Sequence, residues 1–294
     1  MKKLLRRTTD YLSLVKFSHT VFAMPFAFIG YFLGTLEPGL RFSLRTFLLM
    51  LACMVFARSA AMAFNRYADV RFDSLNPRTA GREIPSGKIT PRNALAFVIV
   101  SSLLFITATA FLNRLTLILS PVALFVILGY SYTKRFTPLC HLILGLGLSL
   151  APIGAYIAVT GRFALLPVIY SALVLTWVSG FDIIYAMQDD KFDNETGLYS
   201  IPAVTSPGNA LMISVILHFI SAGCVIAAGI IGEGKILFWT GALVFFALII
   251  YQHLIVKPHD LSRVNIAFGT TNGMAGVIFG AAVVADLLIR QSLP

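Results

Sequence analysis

Long apolar runs alternate with short polar connectors along the whole chain. Runs long enough to cross a bilayer, about 17–25 residues each, fall near 15–36, 44–64, 93–112, 115–131, 139–159, 164–185, 211–231, 236–254 and 266–289. The third and fourth part only at Asn113-Arg114, so the pattern itself gives eight or nine helices. A backbone in lipid must satisfy its own hydrogen bonds, which a helix does within one segment. The runs are too long and too weakly alternating for barrel strands. The expected fold is therefore all-α: a polytopic membrane helix bundle of about nine transmembrane helices, forming a single domain over residues 1–294.

Composition agrees. The 294 residues are 57% hydrophobic and 12% charged, with a mean hydropathy of +0.83. A soluble domain carries about a quarter charged residues, so lipid must be the solvent for most of this surface. The net charge of +10 does not point to nucleic acid, because the bases are scattered through short connectors and make no groove-sized patch. Cys53, Cys140 and Cys224 show no CxxC spacing and read as packing residues. The basic start, Met1-Lys2-Lys3-Leu4-Leu5-Arg6-Arg7, is followed by no short apolar stretch with a small-residue cleavage site, so the first run reads as a retained helix.

The bases set an orientation. With nine spans and a cytoplasmic N-terminus, sixteen Lys and Arg fall on the inner side and six on the outer side, while Arg58 lies inside a span. That bias follows the positive-inside rule and favours nine spans over eight. The expected location is a bacterial inner membrane, with two conspicuous loops, roughly 65–92 and 186–210, on the cytoplasmic side.

These loops share an order of elements. The first runs Asp69-x-x-x-Asp73, Ile84-Pro85, Thr90-Pro91-Arg92-Asn93-Ala94-Leu95; the second runs Asp189-x-x-x-Asp193, Ile201-Pro202, Ser206-Pro207-Gly208-Asn209-Ala210-Leu211. Thr or Ser before Pro is a helix-start signal, since the hydroxyl caps and Pro fills the first turn. The pattern implies an internal parallel repeat of helix, acidic loop and helix. Seven of the thirteen acidic residues lie in the two loops: Asp69, Asp73, Glu83, Asp189, Asp190, Asp193 and Glu195. Carboxylates four apart on a helix share a face, about 5–6 Å between Cβ atoms, and repel unless a cation intervenes. Hard oxygen donors of this kind suit Mg²⁺, which takes one or two carboxylates and completes its shell with water and substrate phosphate. Arg66, Arg71, Arg78, Arg82 and Lys88 in the first loop, with Tyr130, Lys134 and Arg135 after the fourth run, are suited to the rest of a diphosphate. Their bland alternative is topology control alone.

The segment Asn65-Arg66-Tyr67-Ala68-Asp69-Val70-Arg71-Phe72-Asp73, continued by Asn76-Pro77-Arg78-Thr79-Ala80-Gly81-Arg82-Glu83-Ile84-Pro85-Ser86-Gly87, resembles the first aspartate-rich motif of the UbiA superfamily of intramembrane aromatic prenyltransferases. Asp182-Ile183-Ile184-Tyr185-Ala186-Met187-Gln188-Asp189 through Asp193 resembles the second, and Tyr130-x-x-x-Lys134 a shorter motif. The resemblance extends over nearly the whole chain. It implies that Asn65, Asp69, Asp73, Asp189 and Asp193 hold Mg²⁺ on a polyprenyl diphosphate, with Tyr130 and Lys134 nearby and the isoprenoid tail along the apolar helices. It implies ionisation to an allylic cation that an electron-rich ring attacks. The implied acceptor is an aromatic quinone precursor, 4-hydroxybenzoate first, in respiratory quinone biosynthesis. Two positions depart from the family pattern: Arg66 stands where many members have Asp, and Val70 where many have Arg. With Lys16-Phe17-Ser18-His19-Thr20-Val21-Phe22-Ala23-Met24-Pro25, Arg66 resembles a branch that prenylates naphthoates, so 1,4-dihydroxy-6-naphthoate in menaquinone biosynthesis is the alternative acceptor and Lys16 and His19 are candidate carboxylate contacts.

A secondary transporter is the rival from another class, because repeats and intramembrane acids occur there too. Its acids usually sit at mid-bilayer; here they flank helix ends, and only Asp182 lies deeper. An alcohol phosphatidyltransferase is disfavoured by the absence of a DG-x-x-AR run.

Overall fold

The computed structural model describes residues 9–15 and 23–292. Lys16 and His19 therefore lie outside the described residues, as does the first part of the first apolar run. Among the described residues there is no strand, only an isolated bridge between Lys257 and Asp260. Eight helices are long and apolar enough to cross a membrane, and a shorter apolar helix, α1 (Met24–Thr35), precedes them.

Most helix boundaries follow from local chemistry. Ser43 caps α2 (Leu44–Ala68) by accepting from the Thr46 amide. Thr90 does the same for α4 (Pro91–Ala110) and Ser206 for α10 (Pro207–Ile231), each with Pro in the first turn. Asn113 resolves the ambiguous break between the third and fourth runs. The preceding helix closes at Ala110 with Phe111 as its cap, and Asn113 opens α5 (Arg114–Thr133) with a reciprocal capping box to Thr116. Gly161 closes α6 (Cys140–Thr160) in the left-handed conformation at φ 68°. The remaining spans are α7 (Leu165–Ala186), α11 (Ile236–Ile255) and α12 (Asn272–Ser292). Three short helices lie between spans: α3 (Val70–Leu75), α8 (Asp190–Thr196) and α9 (Ile201–Val204).

The bundle has a dense side and a hollow side. Trp177 on α7 is fully buried against Phe26 of α1, Phe245 of α11 and Phe181, with Phe279 of α12 closing the cluster. Close helix approach depends on missing side chains: a Cβ on Gly30 would meet the Pro152 carbonyl oxygen at 2.0 Å, and one on Gly145 the Leu175 carbonyl oxygen at 2.5 Å. By contrast α2, α4, α5 and α6 enclose a cavity of ≈ 330 Å³ lined by Met50, Met54, Ala57, Phe105, Leu119, Ile127, Leu148 and similar residues. At the end of the bundle where α2 and α7 finish, the described N-terminal segment packs Leu14 against Ile84 and Ile89 of the first acidic loop.

Candidate active site

Both acidic loops emerge at this same end, and their backbones match. Asp69 terminates α2 and serves as N-cap of α3, with φ −94° and ψ 8°. Asp189 follows α7 through one 3₁₀ turn and serves as N-cap of α8, with φ −109° and ψ 3°. Both lie in the sparsely populated bridge region, which is common at functional residues. The second aspartate of each pair then falls one turn into the short helix and is buried: Asp73 and Asp193 are 6% and 0% exposed.

Every motif carboxylate meets a cation. Arg135 lies 3.4 Å from Asp69 Oδ1, and Asn65 donates to Oδ2 at 3.0 Å. Arg82 donates to Asp73 Oδ1 at 2.6 Å, while Asp73 Oδ2 is buried with no partner. Arg78 grips Asp189 with both arms of its guanidinium, through Nε at 3.0 Å and through Nη2, and its Nη1 donates to the Tyr185 hydroxyl at 2.9 Å. Lys134 Nζ is 2.7 Å from Asp193 Oδ1, an ion pair outside hydrogen-bond geometry, and Ser200 donates to Oδ2 at 2.8 Å. Lys134 is held there because its carbonyl accepts from the Tyr199 amide of the second loop at 2.7 Å. Burial, reinforced by the Asp73 charge, pushes the Asp69 carboxyl up to about 6, against the pull of Arg135.

Eleven of the fifteen sequence candidates share one polar pocket: Asn65, Arg66, Asp69, Asp73, Arg78, Arg82, Tyr130, Lys134, Arg135, Asp189 and Asp193, whereas Arg71 and Lys88 are not part of its lining. Arg66, 6% exposed, sits among the charges of Arg82, Asp73 and Glu83. Tyr130 and Leu144 line both this pocket and the apolar cavity beneath, so the two spaces adjoin there.

Three site residues were not singled out from sequence as ligands, and the pairing of a fourth, Arg135, was not foreseen. Arg135 needed the fold, because its partner Asp69 is distant in the chain. Arg58 did carry a signal, since a lone charge within an apolar run marks function. It lines the apolar cavity near Tyr130, its Nε is buried without a partner, and no ion pair to it occurs among the described residues. Asp182 and His141 form a 2.7 Å pair on the wall of the polar pocket. The sequence set Asp182 apart as the deeper acid, but nothing in it paired Asp182 with His141 on α6.

The arrangement is a cluster of hard oxygen donors and mobile cations above an apolar slot. Among the described residues no three His, Cys, Asp or Glu side chains converge as a ready metal cage. Such a site can receive a large polyanion with an apolar tail and withdraw charge from it. A profile of the UbiA prenyltransferase family matches residues 23–279. The chain belongs to the UbiA prenyltransferase family. It is an integral membrane enzyme of that family. A 4-hydroxybenzoate octaprenyltransferase of Nitrosospira multiformis is 32% identical over 81% of this chain and 81% of its own length. The apo structure of a UbiA homologue from Aeropyrum pernix superposes with a TM-score of 0.83 at 34% identity, covering 94% of this chain and 98% of that one. A UbiA homologue from Archaeoglobus fulgidus, solved with DMAPP and Mg²⁺, shares the fold at a TM-score of 0.72 and 20% identity, over 94% of this chain and 99% of that one.

Proposed function

We propose that this UbiA-family chain transfers a polyprenyl group from polyprenyl diphosphate to an aromatic acid, 4-hydroxybenzoate, in respiratory quinone biosynthesis, with Mg²⁺ at the paired aspartates. The observation that carries the reading is the junction at Tyr130 and Leu144. There a polar pocket rich in carboxylates and cations opens onto an apolar cavity that contains one unpaired cation, Arg58. The relatives named as 4-hydroxybenzoate octaprenyltransferases support the choice of acceptor.

The donor set fits magnesium. Asp73 Oδ2 is a buried acceptor without a hydrogen-bond partner, and Asp69 Oδ1, Asp189 Oδ2 and Asp193 Oδ1 add oxygens that face side-chain cations. A pair from each side plus diphosphate oxygens is the mixed shell that this ion prefers. When bound, Mg²⁺ would neutralise diphosphate charge and so ease its departure. Arg78, Arg82 and Lys134 then supply donors to the remaining phosphate oxygens, while Asn65 orients Asp69. The tail lies in the apolar cavity, which excludes water from the allylic cation. Arg58 receives the acceptor's carboxylate, because a half-buried guanidinium with no counter-ion among the described residues and a buried, unpartnered Nε is stabilised by an arriving anion. That places the ring beside the allylic carbon.

We place the active site on the cytoplasmic face of a bacterial inner membrane and treat residues 1–294 as one domain of two parallel repeats. Support comes from the positive-inside bias and from the matched backbone of Asp69 and Asp189. Arg66, buried in the pocket, keeps the bulkier 1,4-dihydroxy-6-naphthoate as the alternative acceptor. A side-by-side membrane assay of both acids with a polyprenyl diphosphate decides between them. Product from 4-hydroxybenzoate is expected; product from the naphthoate alone would reassign the acceptor, and liposome uptake without product would favour a transporter.

A further inference from the structure

The His141–Asp182 pair has no part in holding a diphosphate in the scheme above, yet it lies where the chemistry must occur. Asp182 lies within α7, about one turn before its end at Ala186, whereas Asp189 follows that end through a 3₁₀ turn, so Asp182 sits deeper in the bundle. His141 is one turn from Leu144, which lines both spaces. When the tail fills the apolar cavity and the diphosphate the polar pocket, the allylic carbon falls at this level. Tyr130 lines both spaces, with Arg58 on the wall of the apolar one and Asp182 on the wall of the polar one.

The hydrogen bonds fix the protonation pattern. The Ile201 amide donates to His141 Nε2 at 3.3 Å, which makes that nitrogen an acceptor. Nδ1–H is left to donate to Asp182 Oδ2 at 2.7 Å. Asp182 Oδ1 has no hydrogen-bond partner among the described residues, and the side chain is 20% exposed on the pocket wall while His141 is 3% exposed. The four motif carboxylates are each engaged by a cation and are assigned above to Mg²⁺ and the diphosphate, which leaves none of them free for a ring proton. Among the described residues Asp182 is held through Oδ2 by the His141 ring alone, which leaves Oδ1 free to face the pocket.

We propose that Asp182 is the catalytic base that removes the ring proton during prenyl transfer, and that His141 is its positioning residue. This rests on the proposed function. In 4-hydroxybenzoate the position opposite the hydroxyl carries the carboxylate, so a carbon beside the hydroxyl-bearing carbon attacks. A bond forms between that carbon and the allylic carbon, and the allylic C–O bond breaks with its electron pair leaving on the diphosphate. The ring C–H bond then breaks, its pair restores aromaticity, and the proton passes to Asp182 Oδ1. Nothing is oxidised or reduced.

The test uses 4-hydroxybenzoate with deuterium at one of the two carbons beside the hydroxyl-bearing carbon, and reads the deuterium retained in product by mass spectrometry. Wild type, in which attack commits the ring, is expected to lose hydrogen and deuterium equally. Asp182→Asn, which is isosteric, should bind a non-reactive prenyl diphosphate analogue with Mg²⁺ as wild type does. Its turnover should fall by about 10²–10⁴-fold, and its product should be enriched in deuterium because proton loss has become selective. His141→Gln should show a smaller fall with the same enrichment. Lost analogue binding in Asp182→Asn, unenriched product, or near-wild-type turnover would each overturn the assignment. No turnover by wild type itself would instead overturn the proposed function, and the inference with it.

Discussion

Asp69 and Asp189 occupy the same backbone position in the two acidic segments, yet the groups around them differ in kind. Aligning one on the other sets Arg58 opposite Val178 and Met62 opposite Asp182. The first segment carries the cations: Arg82 pairs with its own Asp73, and Arg78 reaches across to Asp189. The second segment supplies oxygen acceptors and borrows its cations, Arg78 from the first loop and Lys134 from the end of α5. Two segments with the same backbone at their first aspartate thus carry different groups, cations in the first and oxygen acceptors in the second.

The comparison breaks most visibly if either pair is removed. Asp73→Ala and Asp193→Ala, the two buried members, should each lower turnover by about 10³-fold or more, at matched expression in a membrane assay. Near-normal activity in only one of them would show that the segments are not equivalent partners. Chelation should abolish turnover in the wild type, and added Mg²⁺ should restore it, because four carboxylates cannot face a diphosphate uncompensated. Sustained turnover in EDTA would contradict this.

Smaller effects sharpen the asymmetry. Arg58→Ala should raise KM for the aromatic acid by about 10–100-fold, the worth of a charge-assisted hydrogen bond, with KM for the prenyl diphosphate little changed. An equal rise in both constants would remove Arg58 from the acceptor side. Arg78→Ala should cost the least. Its pair with Asp189 is 35% exposed on the arginine side, so solvent screening limits the loss to about fivefold in kcat/KM.

Much of this was legible in the residues because membrane helices announce themselves twice, by length and by charge. The nine apolar runs and the Ser/Thr-Pro caps follow one physical rule each, and among the described residues the structure places eight spanning helices and the shorter Met24–Thr35 helix there. Residues 16–22 lie outside the described residues, so Lys16 and His19 keep their status as expectations. The acidic pairs were readable because their spacing is local. The cross-pairing was not: Arg78 with Asp189, Lys134 with Asp193 and His141 with Asp182 join residues that only packing brings together. The apolar cavity was equally hidden, since Met50, Ala57 and Ile127 read as ordinary lipid-facing or core positions until the helices around them leave a gap.

The central claim, one diphosphate site built by both acidic segments, is tested most directly by binding rather than turnover. Calorimetric titration of purified protein with a non-reactive prenyl diphosphate analogue and Mg²⁺ would be run on wild type, on Asp69→Ala/Asp73→Ala and on Asp189→Ala/Asp193→Ala. The expected result is magnesium-dependent binding at one site in wild type and its loss in both double variants. Wild-type affinity in either double variant would contradict the shared site.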